Sequence, residues 1–177
     1  MGWVDEILTF WFKELDSKDW WAKSEMVDEL CKTRFLELWE EQKSKTAADF
    51  LTSPETALAA TILFDQIPRN MFRNSADAFS TDHLAQQIAE QAVNLELDDK
   101  LPEQQRPFLY MPFMHAEDLQ LQNKSVTLFT KLGSNEKFAN EHRDVIAQFG
   151  RFPHRNEILG RQSRPEEVAA IAAGASW

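Results

Sequence analysis

Two stretches of this chain concentrate side chains able to do chemistry. One reads Leu63-Phe64-Asp65-Gln66-Ile67-Pro68-Arg69-Asn70-Met71-Phe72-Arg73. The other reads Phe149-Gly150-Arg151-Phe152-Pro153-His154-Arg155-Asn156 and continues through Leu159-Gly160-Arg161. Each echoes the other in running from an apolar residue through a proline to Arg-Asn, and each sits where a helical pattern meets Gly or Pro. Together they hold most of the arginines of an acidic chain. Arginine presents a rigid planar fork suited to carboxylate or phosphate, where lysine offers only a point charge. Asp65, Gln66, Arg69, Asn70, Arg73, Arg151, Arg155, Asn156 and Arg161 are therefore candidate ligand-binding residues. If the two stretches meet, they build a pocket for a small anion carrying phosphate or carboxylate. A structural reading stands beside this one: Asp65 and Arg69 are spaced for a helical pair, and Arg151 or Arg155 could pair with Asp82, Glu117 or Asp118.

A third stretch, Met111-Pro112-Phe113-Met114-His115-Ala116-Glu117-Asp118, adds acid–base capacity. An imidazole is the side chain that most readily exchanges protons near neutral pH, and a carboxylate nearby can orient it. His115, Glu117 and His154 are the candidate acid–base residues. The plainer account places Glu117 and Asp118 in the first turn of a helix, where the dipole favours acids. His142 lies on an otherwise apolar face and reads as a core histidine; His83 reads as a surface residue. No two of these ligand types have a recognised metal-site spacing, so no metal is assigned and no cofactor is specified. Gly-rich phosphate loops, a nucleophile elbow and paired cysteines are all missing.

These residues need elements to position them, and the pattern supplies helices. Val4, Leu8, Trp11 and Phe12 recur at helical spacing over about Trp3 to Leu15. Ser24 caps a second helix, with Val27, Leu30, Cys31, Arg34, Phe35, Leu38 and Trp39 along its stripe. Ser53-Pro54 opens a third, expected to stop near Pro68. A fourth begins at Thr81-Asp82 and carries Leu84, Ala85, Ile88, Ala92 and Val93. Pro102, Pro107 and Pro112 are expected to break the chain before a longer helix from about Ala116 to Leu132. After Gly133-Ser134 comes a helix with Phe138, His142, Val145, Ile146 and Phe149 on its apolar face. Ser163-Arg164-Pro165-Glu166 reads as a capping box opening a last short helix. The spacing predicts an all-α fold of antiparallel helical pairs, without strands or clear sequence repeats, as a single domain over residues 1–177.

Composition agrees. Of 177 residues 43% are hydrophobic, with six Trp and thirteen Phe, and only five Gly and seven Pro argue against turn-rich β structure. A formal net charge of −10 disfavours nucleic acid and anionic lipid as partners. The single cysteine, Cys31, suits a cytoplasmic setting and reads as a buried, inert thiol. Asp5 and Glu6 stand where a signal peptide would be basic, and the longest apolar run, Ala57 to Phe64, is too short to span a bilayer. Asn123-Lys124-Ser125 fits a glycosylation sequon that has no meaning without secretion.

Several strings also carry a family resemblance: Leu8-Thr9-Phe10-Trp11-Phe12, Leu63 through Asn70, Ala78-Phe79-Ser80-Thr81-Asp82, Tyr110 through Asp118, and His142-Arg143-Asp144-Val145-Ile146 on through Arg161. In these the chain resembles the bacterial domain of unknown function family 924, over nearly its whole length. The resemblance implies a tetratricopeptide-like, right-handed helical arrangement and no assigned activity or catalytic residue. This chain has His115-Ala116-Glu117 where the family commonly shows His-Ser-Glu. Two functional readings follow. One is a small-molecule site, an enzyme or not, at the Arg/Asn/His residues; the other is a tetratricopeptide-like module that clamps a protein or peptide carboxylate in a groove.

Overall fold

Every regular element in the computed structural model of the protein is helical, and the structure describes residues 2–175. The chain divides into two compact units: residues up to Arg73 together with Asp77–Pro112, and Asn74–Ala76 together with the residues from Phe113 on.

The first unit contains α1 (Trp3–Thr9), α2 (Glu25–Gln42), α3 (Pro54–Thr61), α4 (Ile67–Met71), α5 (Asp82–Asn94) and most of α6 (Arg106–Met114). Its helices pair as α2 on α4, α3 on α5 and α1 on α3. Ser24 caps α2 by accepting the Val27 amide, and Ser53 caps α3 by accepting that of Thr56, with Pro54 in the first turn. Along α2 the buried stripe is Val27, Cys31, Phe35 and Trp39, one residue per turn. Leu30, expected on that stripe, is exposed. Cys31 is buried as expected, and burial pushes its thiol up to about 12.

Two π-helical turns distinguish the real helices from the sequence pattern. The first, Phe10–Glu14, ends α1 early; the buried face is Ile7, Phe10 and Trp11, so Trp11 is buried as expected while Val4, Leu8 and Phe12 are only partly buried. The second, Ile62–Gln66, carries the chain from α3 into α4 without a break. Pro68 therefore does not stop the helix, contrary to expectation. The Ile67 amide reaches back five residues to Ile62 O. Proline has no N–H to give Phe64 O, and Thr81 Oγ1 donates to that carbonyl instead, at 2.7 Å. The same hydroxyl accepts from Trp39 Nε1 at 3.2 Å. Pro112 likewise lies inside α6 and does not break it.

The second unit contains α7 (Leu119–Leu132), α8 (Glu136–Phe149) and α9 (Pro165–Ala172). Asp118 caps α7 by accepting the Gln120 and Leu121 amides, which corrects its expected place in the first turn. Gly133 adopts φ 70° at the end of α7, a left-handed conformation that costs glycine little. The short connection folds α8 directly back on α7, an antiparallel pair. Val145, Ile146, Phe149 and Phe152 form a core cluster, while Phe138, expected on that face, is half exposed. The N-cap of α9 is Arg164 rather than Ser163, and the carboxylate that turns back on it is Glu167 rather than Glu166. Among the described residues no helix is long and apolar enough to cross a membrane.

Thr81→Val should leave Phe64 O and Trp39 Nε1 unpartnered in the core, costing about 2–4 kcal/mol. Urea denaturation checks this. A loss under about 0.5 kcal/mol would mean that the hydroxyl does not support the proline.

Candidate functional site

The candidate residues separate into the two units, and each group has its own chemistry. In the first unit the π turn sends Asp65 fully inward, where it accepts from the Gln66 side-chain amide. Arg69 donates to Asp82 Oδ2 at 2.8 Å and to Ala78 O, lies 4.0 Å from Asp65, and sits over the Phe79 ring. Arg73 makes a two-pronged pair with Asp28, at 2.6 and 2.5 Å, and also donates to Asn70 Oδ1 at 3.1 Å. Asn70 donates to Gln66 O. Both guanidinium groups of this stretch are thus matched to acids of their own unit.

In the second unit two carboxylates organise the corner that follows α8. Glu117 accepts the Phe152 amide at 2.7 Å and both ends of the Arg161 fork, at 2.6 and 2.9 Å. Burial pushes its carboxyl up, but the Arg161 and Phe152 hydrogen bonds outweigh this and hold it below its ordinary value. Glu117 thus stays charged at neutral pH and acts as an anchor. Arg161 also donates to Phe152 O, so the Phe152 residue is gripped at both its N–H and its C=O. Glu167 is fully buried and accepts from Arg151, from Arg164 through both side chain and backbone, and from Asn156. The Arg151 hydrogen bond above all, aided by Arg164, drives its carboxyl well below the usual carboxylate range. Arg151, Asn156 and Arg161 are therefore tied into this corner. Of the expected pairings for the second stretch, Glu117 does take an arginine, but it is Arg161.

Around the Phe152 ring the structure gathers His142, with ring centroids 5.6 Å apart, His154 at 5.7 Å, and the Arg155 guanidinium at 4.5 Å. His115 lies 6.5 Å from His142. His142 is buried, with Nδ1 2.8 Å from Phe138 O. A carbonyl can only accept, so Nδ1 carries the hydrogen and Nε2 is left as an acceptor in the neutral ring. Burial first, then repulsion from His115, with Arg155 and His154 adding to it, pulls His142 down to about 3; the bond to Phe138 opposes this only partly. His115 and His154 are partly exposed, whereas Arg155 is buried. Among the described residues no group of three or more His, Cys, Asp or Glu is arranged to hold a metal ion.

The description "Bacterial protein of unknown function (DUF924)" matches residues 7–175. The chain belongs to this family. It is also similar to the solved structure of a protein of unknown function from Agrobacterium tumefaciens, at 37% identity over 97% of each chain, with a TM-score of 0.91. No curated protein matches it. Family membership thus agrees with the all-helical fold and supplies no activity.

Three residues important here escaped the sequence reading. Glu167 was signalled by Arg164-Pro165-Glu166-Glu167, a capping register shifted by one residue. Asp28 carried no signal, because its partner Arg73 lies 45 residues away. Gln122 stands on the buried stripe of α7 with Ser125 and Phe129, and a polar side chain on such a stripe was the available clue.

Unfolded histidine takes up a proton below about pH 6.5, whereas folded His142 resists until about 3, so stability falls on acidification through that window. Between about pH 7 and about pH 5 the wild-type protein should lose about 2 kcal/mol more than His142→Gln. Urea titrations at the two pH values measure it. Equal losses would show that His142 is not held neutral by the fold.

Proposed function

We propose that the protein binds a small anion, phosphate- or carboxylate-bearing, at the group formed by His115, His142, His154 and Arg155 in the second unit. The observation that carries this reading is the convergence of imidazoles and a guanidinium on one aromatic ring in a chain of net charge −10. Burial first, and then the nearby His115, Arg155 and His154, depress His142; a bound anion would offset the second contribution. Arg155 supplies the fixed charge and the planar fork, and the Phe152 ring fixes its orientation. His115 and His154, partly exposed, supply donors and proton exchange. Glu117 and Arg161 orient the Phe152 platform.

The expectation that Arg69, Asn70 and Arg73 join this site is narrowed in the proposal, because their hydrogen bonds to Asp82, Asp28 and one another account for them within the first unit. The proposal includes a cytoplasmic setting, supported by the buried and unreactive Cys31.

Calorimetric titration with inorganic phosphate and with small carboxylates tests the reading. Wild-type protein should bind at least one of them, and His154→Gln and Arg155→Met should each weaken it about tenfold or more. Arg155 is buried, so His154→Gln is the variant expected to keep the wild-type melting temperature. Unchanged affinity in His154→Gln would remove the site. Tighter binding of a peptide with a free C-terminus than of any small carboxylate would give it to a peptide partner.

A further inference from the structure

Gln122 is fully buried, and a side chain with two donors and an acceptor needs partners there. It lies on α7 one turn after the Asp118 cap, on the same face as the buried Ser125 and Phe129. Its Nε2 donates to Met114 O at 2.7 Å and to Ala116 O at 2.8 Å. Both partners are carbonyls, which accept only, so the NH2 end of the amide is the end that meets them.

Those two carbonyls flank His115. α6 ends at Met114 and α7 begins only at Leu119, so His115 stands at the start of a short non-helical link. One planar amide holding these two carbonyls restrains the backbone of the two-residue segment His115-Ala116 between them. Glu117 and Asp118 anchor the link further on, whereas Gln122 holds the peptide unit that enters His115 and the one that leaves Ala116.

The arrangement is costly. Gln122 Oε1 and Ser125 Oγ are buried without a hydrogen-bond partner among the described residues. Apolar side chains at these two positions would pack the α7 face without that penalty. Polar groups kept at a cost to stability mark places where geometry serves function.

We infer that Gln122 is the positioning residue for His115, setting the imidazole in the anion site by fixing the Met114 and Ala116 carbonyls. The inference rests on the reading of His115 as a site residue.

The experiment uses the full chain, 15N-labelled, and observes the histidine ring resonances together with calorimetric binding of inorganic phosphate. Gln122→Leu should shift and split the His115 ring signals, leave those of exposed His83 in place, and weaken phosphate binding about five- to tenfold. Ser125→Ala disturbs the same buried face without touching the two carbonyls. It should change the melting temperature while His115 and phosphate binding stay as in the wild type. A single unshifted His115 signal in Gln122→Leu would overturn the inference, as would an equal disturbance of His115 by Ser125→Ala. If the wild-type protein binds neither phosphate nor a small carboxylate, the anion reading fails, while the His115 signals still decide whether Gln122 positions that ring.

Discussion

Glu117 accepts the Phe152 amide and the Arg161 fork, joining two parts of the second unit that lie 35 residues apart in the chain. Charge-assisted bonds of this kind are the strong ones, and they keep a half-withdrawn carboxylate ionised against the pull of burial. Because Arg161 also takes the Phe152 carbonyl, the aromatic ring is held from both ends of its own residue. The imidazoles of His142 and His154 and the Arg155 guanidinium then take their places around a fixed platform rather than a mobile loop. Glu167 does the same work one step on, securing Arg151, Asn156 and the start of α9. A site on a loop gains its precision from such supports.

Similar Arg-Asn stretches have different fates in the two units, and electrostatics explains why. Arg69 and Arg73 meet Asp82 and Asp28, so much of their charge is spent holding α2, α4 and α5 together. Arg151, Arg161 and Arg164 meet Glu167 and Glu117. Density of arginine along a sequence is thus a weak guide to a ligand site, since a buried acid recruits the same fork that a ligand would.

Helix identity was legible wherever local chemistry decides it. Ser24 and Ser53 with Pro54 mark starts, Gly133 marks an end, and the four-residue repeat of Val27, Cys31, Phe35 and Trp39 marks a buried stripe. Prolines misled, because their effect depends on what takes the carbonyl they leave unpaired. Pro68 is tolerated because Thr81, the residue just before α5, donates to Phe64 O. The π turns were invisible for a related reason: an extra residue per turn shifts the buried face, and only packing stabilises that shift.

The amino-acid sequence by itself determined the helical class, the caps at Ser24 and Ser53 and the net acidic charge, because each follows from side-chain type and short-range spacing. Tertiary structure alone decided which arginine meets which acid and which histidine is held neutral. It also put Gln122 beside the backbone of His115. Those outcomes depend on burial and on contacts between residues distant in the chain, where the loss of water sets the strength of every charge and hydrogen bond.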